Sequence, residues 1–347
     1  MRAVLCHEFG PADNLSVGDM GDPRAGPGEV VVEVHACGVQ FVDNRIVEGN
    51  SLLNTTKLND HFGEDMRVTF PLVPGSEAAG TIVEVGEGIS GYKVGDRILG
   101  TCIVGAYAER AKFRQNDISH IPDAMDYETA ACFYVANFTA YYSLITRGDL
   151  RSGETLLILG AGSGVGLAAI DIAKALGARV IAAASSQEKL DLAREHGADE
   201  LINYGVAPLS NEEQRALSAQ FKQAGGKEGI QVVADLVGGD YAQPAMRAMA
   251  FKARYLSVGF SAGVPSIPMH VIFNKNGSII GIEPVTDKRL PGENPEMMER
   301  LFRWYEEGKI RPLITERYPL EETALALRRL AERKAAGRIV INVRVEL

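Results

Sequence analysis

One segment of the chain reads Leu159-Gly160-Ala161-Gly162-Ser163-Gly164-Val165-Gly166, between an apolar run at 155–159 and a helical pattern at 164–176. Backbone N–H groups at the start of a helix can face a diphosphate, and glycines let it approach closely. Counting back from Gly166 in G-x-G-x-x-G places Ala161 and Ser163 where glycines are expected. A tight turn without a ligand is the alternative. The strand, turn and helix context favours a dinucleotide-binding turn.

About twenty residues further on, the chain indicates which dinucleotide is bound. The strand predicted at 179–184 is followed by Ser185 and Ser186, and then by Lys189. A site that prefers NAD would place a carboxylate there for the ribose 2′-OH, whereas hydroxyls and a cation suit a 2′-phosphate. NADPH is therefore the predicted cofactor. Ser185 and Glu188 also match a capping box, which would leave Lys189 as an ordinary solvated residue; the two interpretations are compatible.

Outward from this turn, strands and helices alternate. Such alternation requires a parallel sheet covered by helices on both faces, which is the doubly wound α/β class. The predicted strands lie at 155–159, 179–184, 200–203, 231–237, 254–258 and 278–282, and helices at 164–176 and 187–196. Residues 205–229 read as a polar helix flanked by loops.

The segments on either side of this region do not show the alternation of strands and helices. Short strands broken by Gly and Pro at 30–35, 80–85 and 96–99 predict a β-rich domain, and a long helical stretch begins at 127. After 286 the alternation of strands and helices that is typical of a parallel sheet stops, so the C-terminal segment should return to the first domain. We expect one domain from 1–125 and 286–347, and a nucleotide-binding domain from 126–285 inserted in it.

Bulk composition excludes several function classes. The chain has 347 residues and a formal net charge of −9, which opposes binding to nucleic acid or anionic lipid. No apolar run approaches membrane-spanning length, and the N-terminus lacks a signal-peptide pattern, so a cytoplasmic protein without a membrane segment is expected. The four cysteines are far apart, which favours reduced thiols.

Several short motifs together resemble the medium-chain dehydrogenase/reductase superfamily. They are Gly75-Ser76-Glu77-Ala78-Ala79-Gly80, Val94-Gly95-Asp96-Arg97, the glycine turn, Ser185-Ser186, Phe138-Thr139-Ala140-Tyr141 and Ala336-Gly337-Arg338-Ile339-Val340. The last two, together with the run Ser185-Ser186-Gln187-Glu188-Lys189, resemble its zinc-independent, zeta-crystallin-like quinone oxidoreductase branch. The resemblance covers nearly the whole chain. It implies a GroES-like β-rich catalytic domain and a Rossmann domain.

The chain differs from the zinc-dependent members of this superfamily at two positions. Gln40 and Ser76 stand where those members carry a catalytic Cys and a His. Catalytic zinc needs three protein ligands, and neither Gln nor Ser replaces such a ligand readily. No metal is therefore expected. Without a metal, alcohol oxidation lacks the usual means of stabilising an alkoxide. Reduction of conjugated acceptors such as quinones and enones is therefore favoured.

The resemblance also implies the cofactor contacts. Thr139 corresponds to a threonine that packs on the nicotinamide; the alternative is a buried hydroxyl bonded within its own helix. Tyr204 corresponds to a tyrosine near the 2′-phosphate; the alternative is a surface aromatic residue. Residues 259–263 match the esterase pattern G-x-S-x-G, but the prolines that follow cannot begin a helix, so this loop is expected at the nicotinamide instead. The predicted cofactor residues are Thr139, Gly162, Ser163, Gly164, Val165, Gly166, Ser185, Ser186, Lys189, Tyr204, Gly259 and Phe260.

The catalytic candidates are Gln40, Asp43 and Arg45. Gln40 could hydrogen-bond the substrate oxygen or the carboxamide. Asp43 agrees with the quinone reductase pattern. Arg45 departs from it, and its cation could stabilise developing enolate charge; an exposed Arg45 paired with Asp43 or Glu48 is the alternative. Residues 50–69 read as an insertion that could shape substrate choice, or as a loop that only packs.

The sequence thus predicts an NADPH-dependent reductase of quinones or α,β-unsaturated carbonyl compounds, acting on a small electrophilic substrate. Two alternatives stay open: an enoyl-thioester or acrylate-type reductase, and an NADPH-binding protein with little turnover. The strand at 278–282 is expected at a sheet edge, which suggests a homodimer formed by sheet extension.

Overall fold

The computed structural model describes residues 1–50, 69–283 and 294–344. The chain divides into two compact units. The first consists of Met1–Val135, Lys288–Phe302 and Leu313–Leu347, and the second of Ala136–Asp287 and Arg303–Pro312. The first division therefore lies ten residues beyond the boundary expected after 125, and the short segment 303–312 of the tail belongs to the nucleotide-binding unit.

The described elements, in chain order, are as follows. The strands are β1 (Arg2–Leu5), β2 (Ser16–Asp19), β3 (Glu29–Gly38), β4 (Glu77–Val85), β5 (Arg97–Thr101), β6 (Arg110–Arg114), β7 (Ile118–His120), β8 (Thr155–Leu159), β9 (Arg179–Ala184), β10 (Glu200–Asn203), β11 (Ile230–Asp235), β12 (Met249–Ser257), β13 (Ser278–Gly281), β14 (Ile314–Pro319) and β15 (Arg338–Asn342). The helices are α1 (Phe41–Val47), α2 (Tyr127–Ala131), α3 (Tyr134–Tyr141), α4 (Gly164–Ala175), α5 (Gln187–Glu195), α6 (Asn211–Gly225), α7 (Ala242–Ala248), α8 (Met269–Lys275), α9 (Pro295–Glu306) and α10 (Thr323–Ala331).

The second unit contains a six-stranded sheet with the order β10-β9-β8-β11-β12-β13. Every neighbouring pair in it is parallel. All five residues of β8 are buried, as expected for a strand covered on both faces. This sheet confirms the predicted doubly wound α/β class. β13 ends the strand order, so it is an edge strand as expected.

The first unit is built on a seven-stranded sheet. Its order is β14-β15-β3-β4-β5-β7, and β6 pairs with β3. β14 and β15 are parallel, and the remaining pairs are antiparallel. Gly80 is required in β4, because a Cβ there would lie 2.0 Å from the carbonyl oxygen of Glu33 on β3. The tail strand β15 pairs with β3, so the end of the chain does return to the first unit.

The helical stretch expected at 127–144 is interrupted. α2 ends at Ala131 and α3 begins at Tyr134, and a π-helical turn follows at Tyr142–Arg147. The cause of the break is a carboxylate from another element. The backbone amides of Tyr134 and Val135 donate to Glu77 Oε1 at 2.6 and 3.2 Å. Glu77 therefore caps the start of α3, which a periodicity pattern cannot reveal.

Two findings bear on the composition argument. None of the helices in the described ranges is long and apolar enough to span a bilayer. Cys6, Cys37, Cys102 and Cys132 are all free thiols.

Candidate functional site

The glycine turn joins β8 to α4 in the second unit. Gly160 adopts a φ of +86°, which favours glycine. Ser163 is the N-cap of α4, and its Oγ accepts from Gly166 N at 3.1 Å. The amides of Gly164 and Val165, at the first helical positions, have no hydrogen-bond partner among the described residues. Two N–H groups at a positive helix end are therefore available to an anion.

The imperfect register of the motif has a structural explanation. A Cβ on Gly166 would lie 2.4 Å from the carbonyl oxygen of Gly160 and 2.6 Å from that of Ala161. Glycine at 166 is thus required for close packing of α4 on the turn. Ala161 is fully buried, and Ser163 supplies the cap. Neither position needs to be glycine, since the positive φ is taken by Gly160.

The segment after β9 packs directly against this turn. A Cβ on Gly162 would lie 2.5 Å from Lys189 Cβ and 3.0 Å from Lys189 Cα. The structure therefore brings Lys189 to the glycine turn. Ser186, not Ser185, is the N-cap of α5, because its side chain accepts from Lys189 N at 3.4 Å. The alternative capping box formed by Ser185 and Glu188 is therefore wrong by one residue, and Ser185 stands outside the cap.

Tyr204 lies beside the same segment. Its backbone N donates to the carbonyl of Ala184 at 3.0 Å, which places it next to Ser185. Its ring packs on Tyr241 with centroids 4.3 Å apart, and only 9% of the residue is exposed. Tyr204 is therefore not the surface aromatic that sequence alone left open. The structure joins Gly162, Ser185, Lys189 and Tyr204 into one locality at the carboxyl ends of β8, β9 and β10.

The loop containing Gly259 and Phe260 follows β12. It is tied to the end of β11, because Gly259 N donates to the carbonyl of Asp235 at 3.1 Å and Gly239 N to that of Gly263 at 2.8 Å. Phe260 is about half exposed. No helix follows until Met269, so the strand, turn and helix of an esterase nucleophile are missing here. Thr139 lies half-buried in α3, where its carbonyl accepts from Ser143 Oγ at 2.6 Å.

Sequence reasoning missed Asp235, the last residue of β11. Its carboxylate is almost wholly buried and accepts from Val237 N and Gly238 N, both at 2.8 Å, and from the hydroxyl of Tyr255. Burial raises the pKa of Asp235, and these hydrogen bonds oppose the increase. Asp235 shapes the loop that supports Gly259. A buried acid at the end of an apolar strand was the signal that could have identified it.

In the first unit, Gln40 and Asp43 form the start of α1 after β3. The backbone N of Gln40 donates to Asp43 Oδ2 at 2.8 Å, and the Tyr107 hydroxyl donates to the same oxygen at 2.6 Å. Asp43 is completely buried. Burial raises its pKa from 3.8 to about 6, against the effect of those hydrogen bonds. The Ser76 hydroxyl also acts to lower the pKa of Asp43, which places the two side chains near each other, but neither Asp43 Oδ1 nor Ser76 Oγ forms a hydrogen bond of normal geometry with the described residues.

The carboxylate of Glu77 lies under the side chain of Gln40. Gln40 Nε2 donates to Glu77 Oε2 at 2.8 Å, while the amides of Tyr134 and Val135 occupy Oε1. Glu77 is fully buried, and burial raises its pKa from 4.5 to about 8, with the amides, Arg338 and Gln40 opposing the increase. Glu77 stood in the motif at 75–80 without a role. A lone acid beside Ala78 and Ala79 on a strand was the available signal.

Arg45 is not brought to this pair. It is exposed on α1, and its Nη2 donates to the carbonyl of Asn50 at 3.0 Å. Neither Asp43 nor Glu48 is its partner among the described residues. The insertion predicted at 50–69 lies almost entirely outside the described residues, so its effect on substrate choice stays a prediction.

The residues present do not fit a zinc site. Gln40 and Ser76 offer an amide and a hydroxyl, and both oxygens of Glu77 are engaged. Burial raises the pKa values of the Cys37 and Cys132 thiols, and each thiol lies within hydrogen-bonding distance of a backbone carbonyl. Within the described residues, no group of three His, Cys, Asp or Glu side chains could hold a metal ion.

Comparison with known proteins gives consistent matches. Residues 26–123 match the alcohol dehydrogenase GroES-like domain, and residues 164–303 match the family described as zinc-binding dehydrogenase. Quinone oxidoreductase of Pseudomonas aeruginosa is 33% identical over 96% of this chain and 97% of its own length. Quinone oxidoreductase-like protein 2 of Bos taurus is 31% identical over 99% of this chain and 93% of its own length.

Solved structures of quinone oxidoreductases are similar over nearly the whole chain. The crystal structure of Escherichia coli quinone oxidoreductase complexed with NADPH has a TM-score of 0.85. The match covers 99% of this chain and all of that chain at 26% sequence identity.

Proposed function

The chain belongs to the quinone oxidoreductase branch of the medium-chain dehydrogenase/reductase superfamily, and from this premise we propose that it is an NADPH-dependent, zinc-independent reductase of quinones or α,β-unsaturated carbonyl compounds. The observation that carries the proposal is the packing of Gly162 on Lys189. This packing places Lys189, a cation that can bind a 2′-phosphate, next to the glycine turn that we assign to the diphosphate.

The cofactor-binding residues of the second unit are assigned as follows. The amides of Gly164 and Val165 hold the diphosphate, and Ser163 keeps the helix end capped while they do so. Ser185 and Lys189 bind the 2′-phosphate, with Tyr204 beside them. The loop of Gly259 and Phe260, together with Thr139, contacts the nicotinamide. NADPH supplies a hydride when it is bound; the protein supplies its orientation.

The catalytic residues of the first unit need no metal in this proposal. Gln40 binds the carbonyl oxygen of the substrate through its side-chain NH₂ group when neutral Glu77 donates to Gln40 Oε1; in the orientation of the structure, Gln40 Nε2 donates to Glu77 instead. A hydrogen bond to the oxygen stabilises the negative charge that develops there during reduction of a conjugated carbonyl. Asp43 is a positioning residue, because it holds the backbone of Gln40 at the helix start.

The proposal is tested with purified protein and a panel of acceptors. Loss of NADPH absorbance is followed with a quinone, an enone and an enoyl thioester, before and after exhaustive treatment with a zinc chelator. Turnover with the quinone or enone that survives chelation is the expected result. Faster turnover of the thioester would favour the enoyl reductase alternative. Tight NADPH binding without turnover on any acceptor would favour the low-turnover binding protein, and loss of activity on chelation would overturn the zinc-independent mechanism.

We also propose that two copies of the chain associate through β13. Among the strands of residues 1–50, 69–283 and 294–344, none pairs with the outer side of β13, so its backbone groups can extend the sheet into a partner. Light scattering after size-exclusion chromatography is expected to give twice the chain mass. Free thiols at all four cysteines agree with the cytoplasmic location we expect.

A further inference from the structure

A groove lies between α6 and α7 of the second unit, away from the residues assigned to the cofactor. Its volume is about 410 Å³. None of the glycine turn, Ser185, Lys189 or Tyr204 contributes to its lining. We call it the α6–α7 groove; it is lined by Asn211, Gln214, Arg215, Ser218, Ala219, Lys222, Gln243, Pro244 and Arg247.

Three of its lining side chains are cations, and no lining residue is acidic. Arg215 and Lys222 lie seven residues apart on one face of α6, and Arg247 faces them from α7. None of the three forms an ion pair within the part of the chain that the structure describes. In a protein with a net charge of −9, three unpaired cations around one groove concentrate positive potential there.

A fourth cation adds to this potential. Lys275 on α8 has a lowered pKa, caused first by desolvation and then by the charge of Lys222. Lys275 thus lies close enough to Lys222 for the two positive charges to act on each other. Glu212 and Glu213, in the first turn of α6, are not among the residues that line the groove, and Glu213 accepts from Ser210 N and Oγ at 2.7 Å each in the helix cap.

Ser218 gives an independent indication of a ligand. It is 95% buried, and its Oγ has no hydrogen-bond partner in the described structure. A serine in the middle of a helix ordinarily bonds the carbonyl four residues earlier, and a buried hydroxyl without a partner costs about 1–3 kcal/mol. Ser218 lies between Arg215 and Lys222 on α6 and is among the residues that line the groove, so an anion that reaches its Oγ there would supply the missing partner.

We propose that the α6–α7 groove binds a small phosphate-bearing molecule at a site separate from the cofactor. A phosphate offers three oxygens, which matches two guanidinium groups, an ammonium and the Ser218 hydroxyl. The amides of Asn211 and Gln243 lie at the same groove and can bond the remainder of the ligand. Nucleic acid is disfavoured because three cations at one groove of a protein with a net charge of −9 do not make the extended basic surface that a polyanion requires.

The probes are inorganic phosphate, pyrophosphate and glycerol phosphate, each titrated by calorimetry into protein saturated with NADPH, so that the cofactor site cannot take them up. Saturable binding of one equivalent is expected. Stronger binding of glycerol phosphate than of inorganic phosphate would identify a phosphomonoester as the ligand, and the reverse order would identify free phosphate. Binding of a single-stranded oligonucleotide at the same residues would overturn the small-molecule proposal.

Two pairs of variants test whether phosphate binding depends on the groove residues or only on the total charge of the protein. The pair Arg215→Gln and Arg247→Gln removes two charges from the groove, and the control pair Arg194→Gln and Lys227→Gln removes two exposed charges outside it. The groove pair is expected to weaken phosphate binding by about tenfold or more, and the control pair by less than about twofold. Ser218→Ala is expected to weaken it by about threefold or more, and the single variant Arg247→Gln serves if the pair does not fold.

Equal weakening by the two pairs, or no saturable binding to the parent protein, would overturn the proposal. NADPH affinity is measured on every variant and is expected to stay unchanged. This measurement distinguishes the groove from the cofactor site, so a failure of the proposed reductase activity would leave the result on the groove valid.

Discussion

Replacing Glu77 with Gln should remove the part of the pH dependence of the free energy of unfolding that comes from the ionisation of Glu77. Burial gives Glu77 a pKa of about 8 in the folded protein, against 4.5 when it is exposed. A carboxyl whose pKa is raised by folding keeps its proton in the native state while the unfolded chain loses it. The stability contributed by that proton is complete below pH 4.5 and is lost progressively as the pH rises to about 8. Between pH 6 and pH 9 the loss amounts to about 2–3 kcal/mol.

The glutamine of the Glu77→Gln variant cannot ionise, so the variant should not lose this stability. Its carbonyl can still accept from the amides of Tyr134 and Val135, which preserves the cap on α3. The assay is urea unfolding of both proteins at pH 6 and pH 9. Glu84→Gln, a half-exposed position on the same strand, is the matched control and should follow the parent protein. An equal fall in parent and Glu77→Gln stability would refute the reasoning.

The same substitution should alter the pH profile of catalysis. When Glu77 is ionised it draws the Gln40 NH₂ group towards itself, as in the structure, and Gln40 Oε1 is left for the substrate. When Glu77 is neutral its proton can be donated to Gln40 Oε1, and the NH₂ group is turned to the substrate oxygen. Loss of such a donor costs about 1–2 kcal/mol, so kcat/KM of the parent should fall about 5- to 30-fold above pH 8.

In the Glu77→Gln variant, the new side-chain amide can donate to Gln40 Oε1 at any pH, so the alkaline fall should disappear. The other groups that act on Glu77 are Arg338, Cys132 and Cys37, and all three are unchanged. A parallel alkaline fall in the variant would assign the titration to another group.

Four other changes test separate parts of the account. Gly162→Val should raise the Kd for NADPH by about tenfold or more, since a side chain there must displace the start of α5; fluorescence titration measures it. Lys189→Gln should raise the Kd for NADPH about 10- to 100-fold and leave that for NADH nearly unchanged. Tyr107→Phe should destabilise the fold by about 1–3 kcal/mol above pH 6 and less at lower pH, where Asp43 is protonated, as urea unfolding would show. Arg45→Met should change turnover of a neutral quinone and of an anionic enoyl substrate equally and slightly, because its guanidinium is exposed and bonded to Asn50; a selective loss on the anionic substrate would place Arg45 at the substrate.

The nucleotide-binding sheet could be predicted from sequence because its determinants are local. The runs at 155–159, 179–184 and 200–203 coincide with β8, β9 and β10 to the residue. β8 and β9 are apolar after their first residue and buried, as expected for strands inside a parallel sheet, whereas the edge strand β10 carries only Leu201 and Ile202 between two exposed polar residues. The helix cap was harder to predict, since Ser185 and Ser186 are equally good caps and only the path of the chain selects Ser186.

Glu77 shows why the chemistry of the catalytic residues of the first unit was beyond sequence reasoning. Its position in a small-residue motif was visible, but its proton affinity depends on residues at 40, 134, 135 and 338, which only the fold assembles. The same contact explains an error in secondary structure, because the carboxylate that supports Gln40 also ends the expected 127–144 helix and starts α3. One buried acid thus couples the direction of the Gln40 amide to the capping of α3. A substitution at 77 that satisfies only one of these two demands should therefore impair catalysis and stability separately, and glutamine is the side chain that can satisfy both.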